Sequence, residues 1–176
     1  PKFSQADFDK YITDFDVPIT NRLDQMSMGQ KKKTLIAFSL ETNTELLLMD
    51  EPTNGLDIVS KSQFKKVMAS VADADKCIII STHQVKDIEN LIDRISVIDQ
   101  GNILFNESVS TVGQKISFVN SIHASNSPYS IYSEETLNGV AELLVNMTNE
   151  ESKVDLEMLY KAVMLKPEQI NKIFKA

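Results

Sequence analysis

At 176 residues, with 42% apolar and 24% charged positions, the chain has the size and composition of one ordinary globular domain with a sizeable core. A formal net charge of -7 and a pI near 4.9 exclude a phosphate-tracking nucleic-acid binder, but not a nucleotide site built from a few local donors and a metal ion. The single cysteine, Cys77, excludes an internal disulfide framework, and no run approaches the roughly 20 apolar residues of a membrane span.

The chain opens on "PKFSQADFDK", without an initiator methionine or signal-peptide character, which reads as an interior cut. Residues 1–27 are polar, with apolar points at Phe8, Tyr11, Ile12 and Phe15 that fit a short amphipathic helix. A second helix is predicted from Met28 to about Leu40. Its start, "MSMGQ", places Ser27 three positions before Gln30, the spacing of a capping box. The same geometry also suits a phosphate: a helix amino terminus, a serine hydroxyl, and Gly29 allowing close backbone approach. Lys31, Lys32 and Lys33 follow, as a solvated face or as reinforcement of an anion site.

"ELLLMD" is the first strand, and its apolar run ends in Asp50, Glu51 and Pro52. A solvated acidic strand end is one reading. In the other, alternation along the strand turns one carboxylate toward a metal and its neighbour toward another part of a site. Oxygen ligation suits Mg²⁺ at Asp50, leaving Glu51 to polarise a water for attack on a phosphoryl group. The turn "EPTNGLD" leads to a helix expected over about Ile58–Ala72, with Phe64, Val67, Met68 and Val71 at helical spacing. "CIII" is a second strand, with Cys77 expected as a buried inert thiol, and it stops at "STHQ". His83 therefore falls beside the Asp50 strand end, although a lone histidine there also fits a helix start or the surface.

A further helix is predicted with Val85, Ile88, Leu91 and Ile92 inward. "RISVIDQGNILF" then reads as a hairpin turning at Gln100-Gly101. Helices alternating with apolar strands imply parallel strands buried on both faces, hence an α/β layered domain with ligands at the carboxyl ends of the strands. Asp50, Glu51 and His83 all lie at such ends. Beyond about Gly113 the chain becomes Ser- and Asn-rich through "SIHASNSPYSIYSEE", a loop or irregular strand. It then offers the strand "GVAELLVNM" and a helix, "VDLEMLYKAVML", stopped before Pro167. The expected division is 1–113 and a carboxyl-terminal appendage, 114–176.

Taken in order, "MSMGQ", "LLLMDEP", "NGLD" and "STHQ" resemble the distal half of an ABC-type ATPase domain: its signature motif, Walker B strand, D-loop and switch histidine. The resemblance covers about residues 20–107. It implies a partial P-loop NTPase-type three-layer α/β domain with parallel strands. The small α+β appendage resembles those on nucleotide-binding subunits of ABC-2-type exporters.

The resemblance further implies that Ser27, Gly29 and Gln30 contact the γ-phosphate of ATP held by a second, head-to-tail subunit. It assigns Asp50 to Mg²⁺, Glu51 to the hydrolytic water, His83 to the γ-phosphate, and Asp57 to communication across the dimer. A membrane permease is the implied partner. The subunit would be cytoplasmic, peripheral on the inner face of the cell membrane through that permease, with no direct insertion and no nucleic acid.

Met28 stands where the signature usually has glycine, narrowing the space for backbone approach. "NGLD" has glycine where a small residue such as alanine is usual. No G-x-x-x-x-G-K-[ST] phosphate loop occurs in the 176 residues. The chain is therefore expected to be a fragment that binds ATP weakly and does not turn it over. Two other functions fit the same scaffold: a soluble ABC-type ATPase of translation or chromosome maintenance, and a non-catalytic interaction or regulatory domain.

Overall fold

The computed structural model describes residues 3–71, 76–125, 127–148 and 150–175. The chain divides into two compact units, Pro1–Leu91 and Ile92–Ala176. The division expected from the motifs lies downstream of this, at 113. The "RISVIDQGNILF" hairpin thus belongs to the second unit.

In the first unit, α1 (Gln5–Asp14) is capped by Ser4, whose side chain accepts the Asp7 N–H. Its apolar points Tyr11 and Ile12 are buried, as is Phe15 just beyond its end. Next, α2 (Met28–Glu41) begins at Ser27 with a full capping box and buries Ile36, Ala37 and Leu40. Strand β1 (Leu46–Asp50) and strand β2 (Cys77–Ser81) pair in parallel, Leu46 opposite Cys77 and Asp50 opposite Ser81. Between them runs α3 (Ile58–Val71), which buries Phe64, Val67, Met68 and Val71. That is the face its periodicity predicts, and Ala72 lies outside the described residues.

Three expectations need correction in this unit. The two strands are not buried on both faces: Leu46, Leu48 and Ile79 on one side are exposed, Leu48 at 67%, while Met49 on the other side is buried. Among the described residues the pair has one covered face, not the three layers the resemblance implies. Cys77 shares the open face and is exposed rather than buried. No α-helix forms over 85–92. Val85–Asp87 is a 3₁₀ turn continued by i→i+3 bonds, Ile88 N–H to Val85 O at 3.1 Å and Leu91 N–H to Ile88 O at 2.8 Å. The reason is tertiary. Lys61 on α3 takes Gln84 Oε1 at 2.7 Å and Asp87 Oδ2 at 2.6 Å, holding the tight turn against its helical periodicity.

The second unit opens on the predicted hairpin, β3 (Arg94–Asp99) and β4 (Asn102–Ser108). Gln100 and Gly101 both have positive φ, 47° and 78°, the backbone a two-residue turn of this hand requires. A short helix, α4 (Val109–Lys115), follows, then an antiparallel sheet ordered β5 (Ile116–Ser121), β7 (Gly139–Val145), β6 (Ser130–Thr136). The Ser-rich stretch does supply an irregular strand: the β6–β7 register shifts between Ser130 and Tyr132. As expected, α5 (Leu156–Leu165) stops before Pro167, and that proline opens a further helix, α6 (Pro167–Phe174), at its first turn. Val112, Ile116, Leu143, Leu159, Val163 and Ile170 form the core of this unit. None of the described helices is long and apolar enough to cross a membrane.

Candidate functional site

Parallel pairing sets the carboxyl ends of β1 and β2 side by side, so Asp50 and Glu51 meet the "STH" segment that ends β2. The acidic pair is not divided by strand alternation. Glu51 lies one residue past β1 in the left-handed region, φ +44°, a conformation uncommon for any residue but glycine. This turn sends the two carboxylates to different partners. Asp50 accepts a short hydrogen bond from the Ser81 hydroxyl. Glu51 accepts from the Thr82 hydroxyl at Oε2 (2.9 Å) and from the His83 N–H at Oε1 (2.9 Å), with His83 Nδ1 2.6 Å from the same oxygen.

The backbone of Glu51 is held at both ends. Its N–H donates to Ser81 O at 2.9 Å, and its carbonyl accepts the Asn54 N–H at 3.2 Å and Lys32 Nζ at 2.6 Å. Gly55, with φ +76°, completes the turn before Leu56 is buried. The Glu51 carboxyl is drawn below the usual carboxylate range, chiefly by the His83 imidazole, with the Thr82 hydroxyl and the His83 N–H adding to it against the effect of burial. Glu51 is therefore a firmly charged anchor.

Asp57 is the amino-terminal cap of α3. Its Oδ1 accepts the Ser60 N–H at 2.7 Å, and that bond, before other contributions, lowers its carboxyl pKa. Ser27 and Gln30 form the capping box: Ser27 Oγ accepts the Gln30 N–H at 3.2 Å, and Gln30 Oε1 accepts the Ser27 N–H at 2.9 Å. Nothing lies within 4 Å of where a Gly29 Cβ would stand, so the backbone there is open to approach.

The structure thus sets Glu51 with Thr82 and His83, and Asp50 with Ser81, at the adjoining ends of β1 and β2, the candidate site. Among the described residues, no hydrogen bond joins Ser27, Gln30 or Asp57 to it. It also adds residues the motif reading passed over. Ser81 and Thr82 are legible as paired hydroxyls just before His83. Lys32 and Lys61 carry no local signal that separates them from neighbouring lysines. The Asp50 carboxylate and the Ser81 hydroxyl bonded to it are both oxygen groups, the type of ligand a hard cation with a shell of waters accepts. No three His, Cys, Asp or Glu side chains converge as a protein-only metal cage among the described residues.

A family model described as "ABC transporter" matches residues 4–54. The chain is 30% identical over 104 residues to the ABC transporter ATP-binding protein YtrB of Bacillus subtilis (strain 168), covering 58% of this chain and 36% of that protein. It thus spans about a third of the length of that curated relative. Two solved structures share the fold. The ATP-binding subunit of an ABC transporter matches with a TM-score of 0.53 at 20% identity, over 62% of this chain and 48% of its own. The cassette MJ0796, described as a bacterial ABC transporter cassette in a dimeric structure, matches with a TM-score of 0.50 at 20% identity, over 58% and 46%. The chain is a partial homologue of ABC transporter ATP-binding cassettes, matched by the family model over residues 4–54.

Proposed function

We propose that these residues supply the hydrolytic side of the ATP-binding subunit of an ABC exporter, coupling ATP hydrolysis and dimer closure to transport through a membrane permease. The observation that carries this reading is the placement of Glu51. At a left-handed turn its carboxylate is fixed against Thr82 and His83 at the strand ends, where an α/β sheet presents its ligands.

In this reading Asp50, already oriented by Ser81, holds Mg²⁺, which when bound neutralises charge on the transferring phosphoryl group. Glu51 orients the attacking water. Its lowered pKa suits a charged water-positioning acceptor better than a strong base. His83 holds Glu51 through Nδ1 and turns the remainder of its ring toward the γ-phosphate. Ser27, Gly29 and Gln30 serve the ATP of a second, head-to-tail subunit, offering the amino terminus of α2 to phosphate oxygens. Asp57 relays the state of one site to the other through the start of α3.

The reading requires a phosphate-holding loop from outside these 176 residues, because no such loop occurs within them. Alone, these residues bind ATP weakly and do not turn it over. The test uses the full-length protein carrying this sequence, with its permease. Glu51→Gln should lower ATP hydrolysis by about 10²-fold or more while ATP still binds and the dimer persists. Full hydrolysis in that variant would falsify the assignment.

A further inference from the structure

The lysine run after the α2 cap looks uniform in sequence, yet its members do different things. Lys33 is buried, its Nζ 3.3 Å from Gln63 Oε1 on α3. Lys32 is half-buried and reaches out of its helix to the turn after β1. Its Nζ donates to the Glu51 carbonyl at 2.6 Å and to the Asn54 carbonyl at 2.7 Å.

We propose that Lys32 is a positioning residue for the Glu51 carboxylate, tying the helix that begins at Ser27 to the backbone of the residue that holds the water. The proposal rests on the reading of Glu51 given above. Glu51 occupies the left-handed region, which residues with a Cβ keep only where their surroundings over-determine them. Its N–H is fixed by Ser81 on β2, and the Asn54 N–H closes the turn onto its carbonyl at 3.2 Å. Lys32 supplies a donor to that same carbonyl and a donor to the far end of the turn. Two carbonyls three residues apart are thereby drawn toward one nitrogen, and with the Glu51 N–H held by Ser81 the backbone on both sides of the Glu51 Cα is fixed, which sets where the side chain starts. Lys32 lies two positions after Gln30, so any shift of the α2 amino terminus on meeting a phosphate is carried through one side chain to the water-orienting carboxylate. In this arrangement Lys32 acts only through Glu51 and its turn.

The experiment compares Lys32→Met and Lys32→Arg in the full-length protein. Lys32→Met should lower kcat for ATP hydrolysis about tenfold with KM for ATP within about twofold, because misplacement of a reacting group costs rate rather than binding. Lys32→Arg, which keeps a cation with several donors, should restore most of kcat. A wild-type kcat in Lys32→Met overturns the proposal, and so does a rise in KM at unchanged kcat, which would make Lys32 a nucleotide ligand. A wild-type protein with no hydrolysis that Glu51→Gln abolishes defeats the functional reading instead. Lys32 is then judged by amide hydrogen exchange in the same full-length protein. The Asn54 and Leu56 amides should exchange at least about tenfold faster in Lys32→Met while those of β2 stay unchanged. Unaltered protection of the turn overturns the proposal on that arm.

Discussion

His83 grips Glu51 twice at one oxygen, through its backbone N–H at 2.9 Å and through Nδ1 at 2.6 Å from Oε1. With its hydrogen on Nδ1, the imidazole donates to the carboxylate, and the Thr82 hydroxyl donates to the other oxygen at 2.9 Å, leaving lone pairs on both for a water. The two residues are 32 positions apart, and only the parallel pairing of β1 with β2 brings them together. The bond joins the two groups that the proposed mechanism places against the attacking water and the γ-phosphate.

The pair sets a pH dependence. The Glu51 pKa is depressed in the folded chain, led by its hydrogen bond to His83. A depressed carboxylate contributes stability that is present above its unfolded value, about 4.3, and is lost as pH falls through the lower folded value. Thermal melts between pH 7 and pH 3 should therefore show the wild type losing its advantage over Glu51→Gln below about pH 4. A gap between the two that stays constant across this range would contradict the assignment.

Phe64 anchors α3 against the rest of the first unit. Its ring is 0% exposed, alongside Val67, Met68 and Val71. Phe64→Ala leaves a cavity that the helix cannot fill, and should cost about 3–5 kcal/mol. Denaturant unfolding followed by a probe in residues 1–91 checks this. A loss below about 1 kcal/mol would mean that the site relaxes around the vacancy.

Gly139 begins β7 with φ +141°, and a Cβ there would lie 2.1 Å from the Ser121 carbonyl oxygen and 2.9 Å from Ile122 Cα. Both obstacles are backbone, so no side-chain rotation relieves them. Gly139→Ala should destabilise the β5–β7 pairing by at least about 1–3 kcal/mol. The amides of Ser121 and Val140, opposite each other in the register, should lose exchange protection. Wild-type protection there would refute the close approach.

Much of the chain could be read from local pattern. The Ser27–Gln30 spacing predicts the cap that opens α2, since a capping box involves only residues three apart. The α3 face follows from the 3.6-residue period of Phe64, Val67, Met68 and Val71, and the hairpin turn from Gln100-Gly101. The order of "MSMGQ", "MDEP" and "STHQ" made Asp50, Glu51 and His83 the candidates, and the parallel register sets the segments that carry them side by side.

What the sequence did not disclose depends on contacts between residues about 20 or more positions apart. The helical period over 85–92 yields to a 3₁₀ turn because Lys61 captures Gln84 and Asp87. Cys77, set in an apolar run, is exposed because the β1–β2 pair is covered on one face only among the described residues.

The sequence by itself determined the local elements and the identity of the acidic pair, because helix caps, turn residues and side-chain periods are properties of neighbours. Tertiary structure alone decided that Glu51 turns left-handed, that Thr82 and His83 each engage one of its oxygens, and that one lysine of three holds its carbonyl. Those bonds span 19 to 32 residues and form only after α2, β1 and β2 have met.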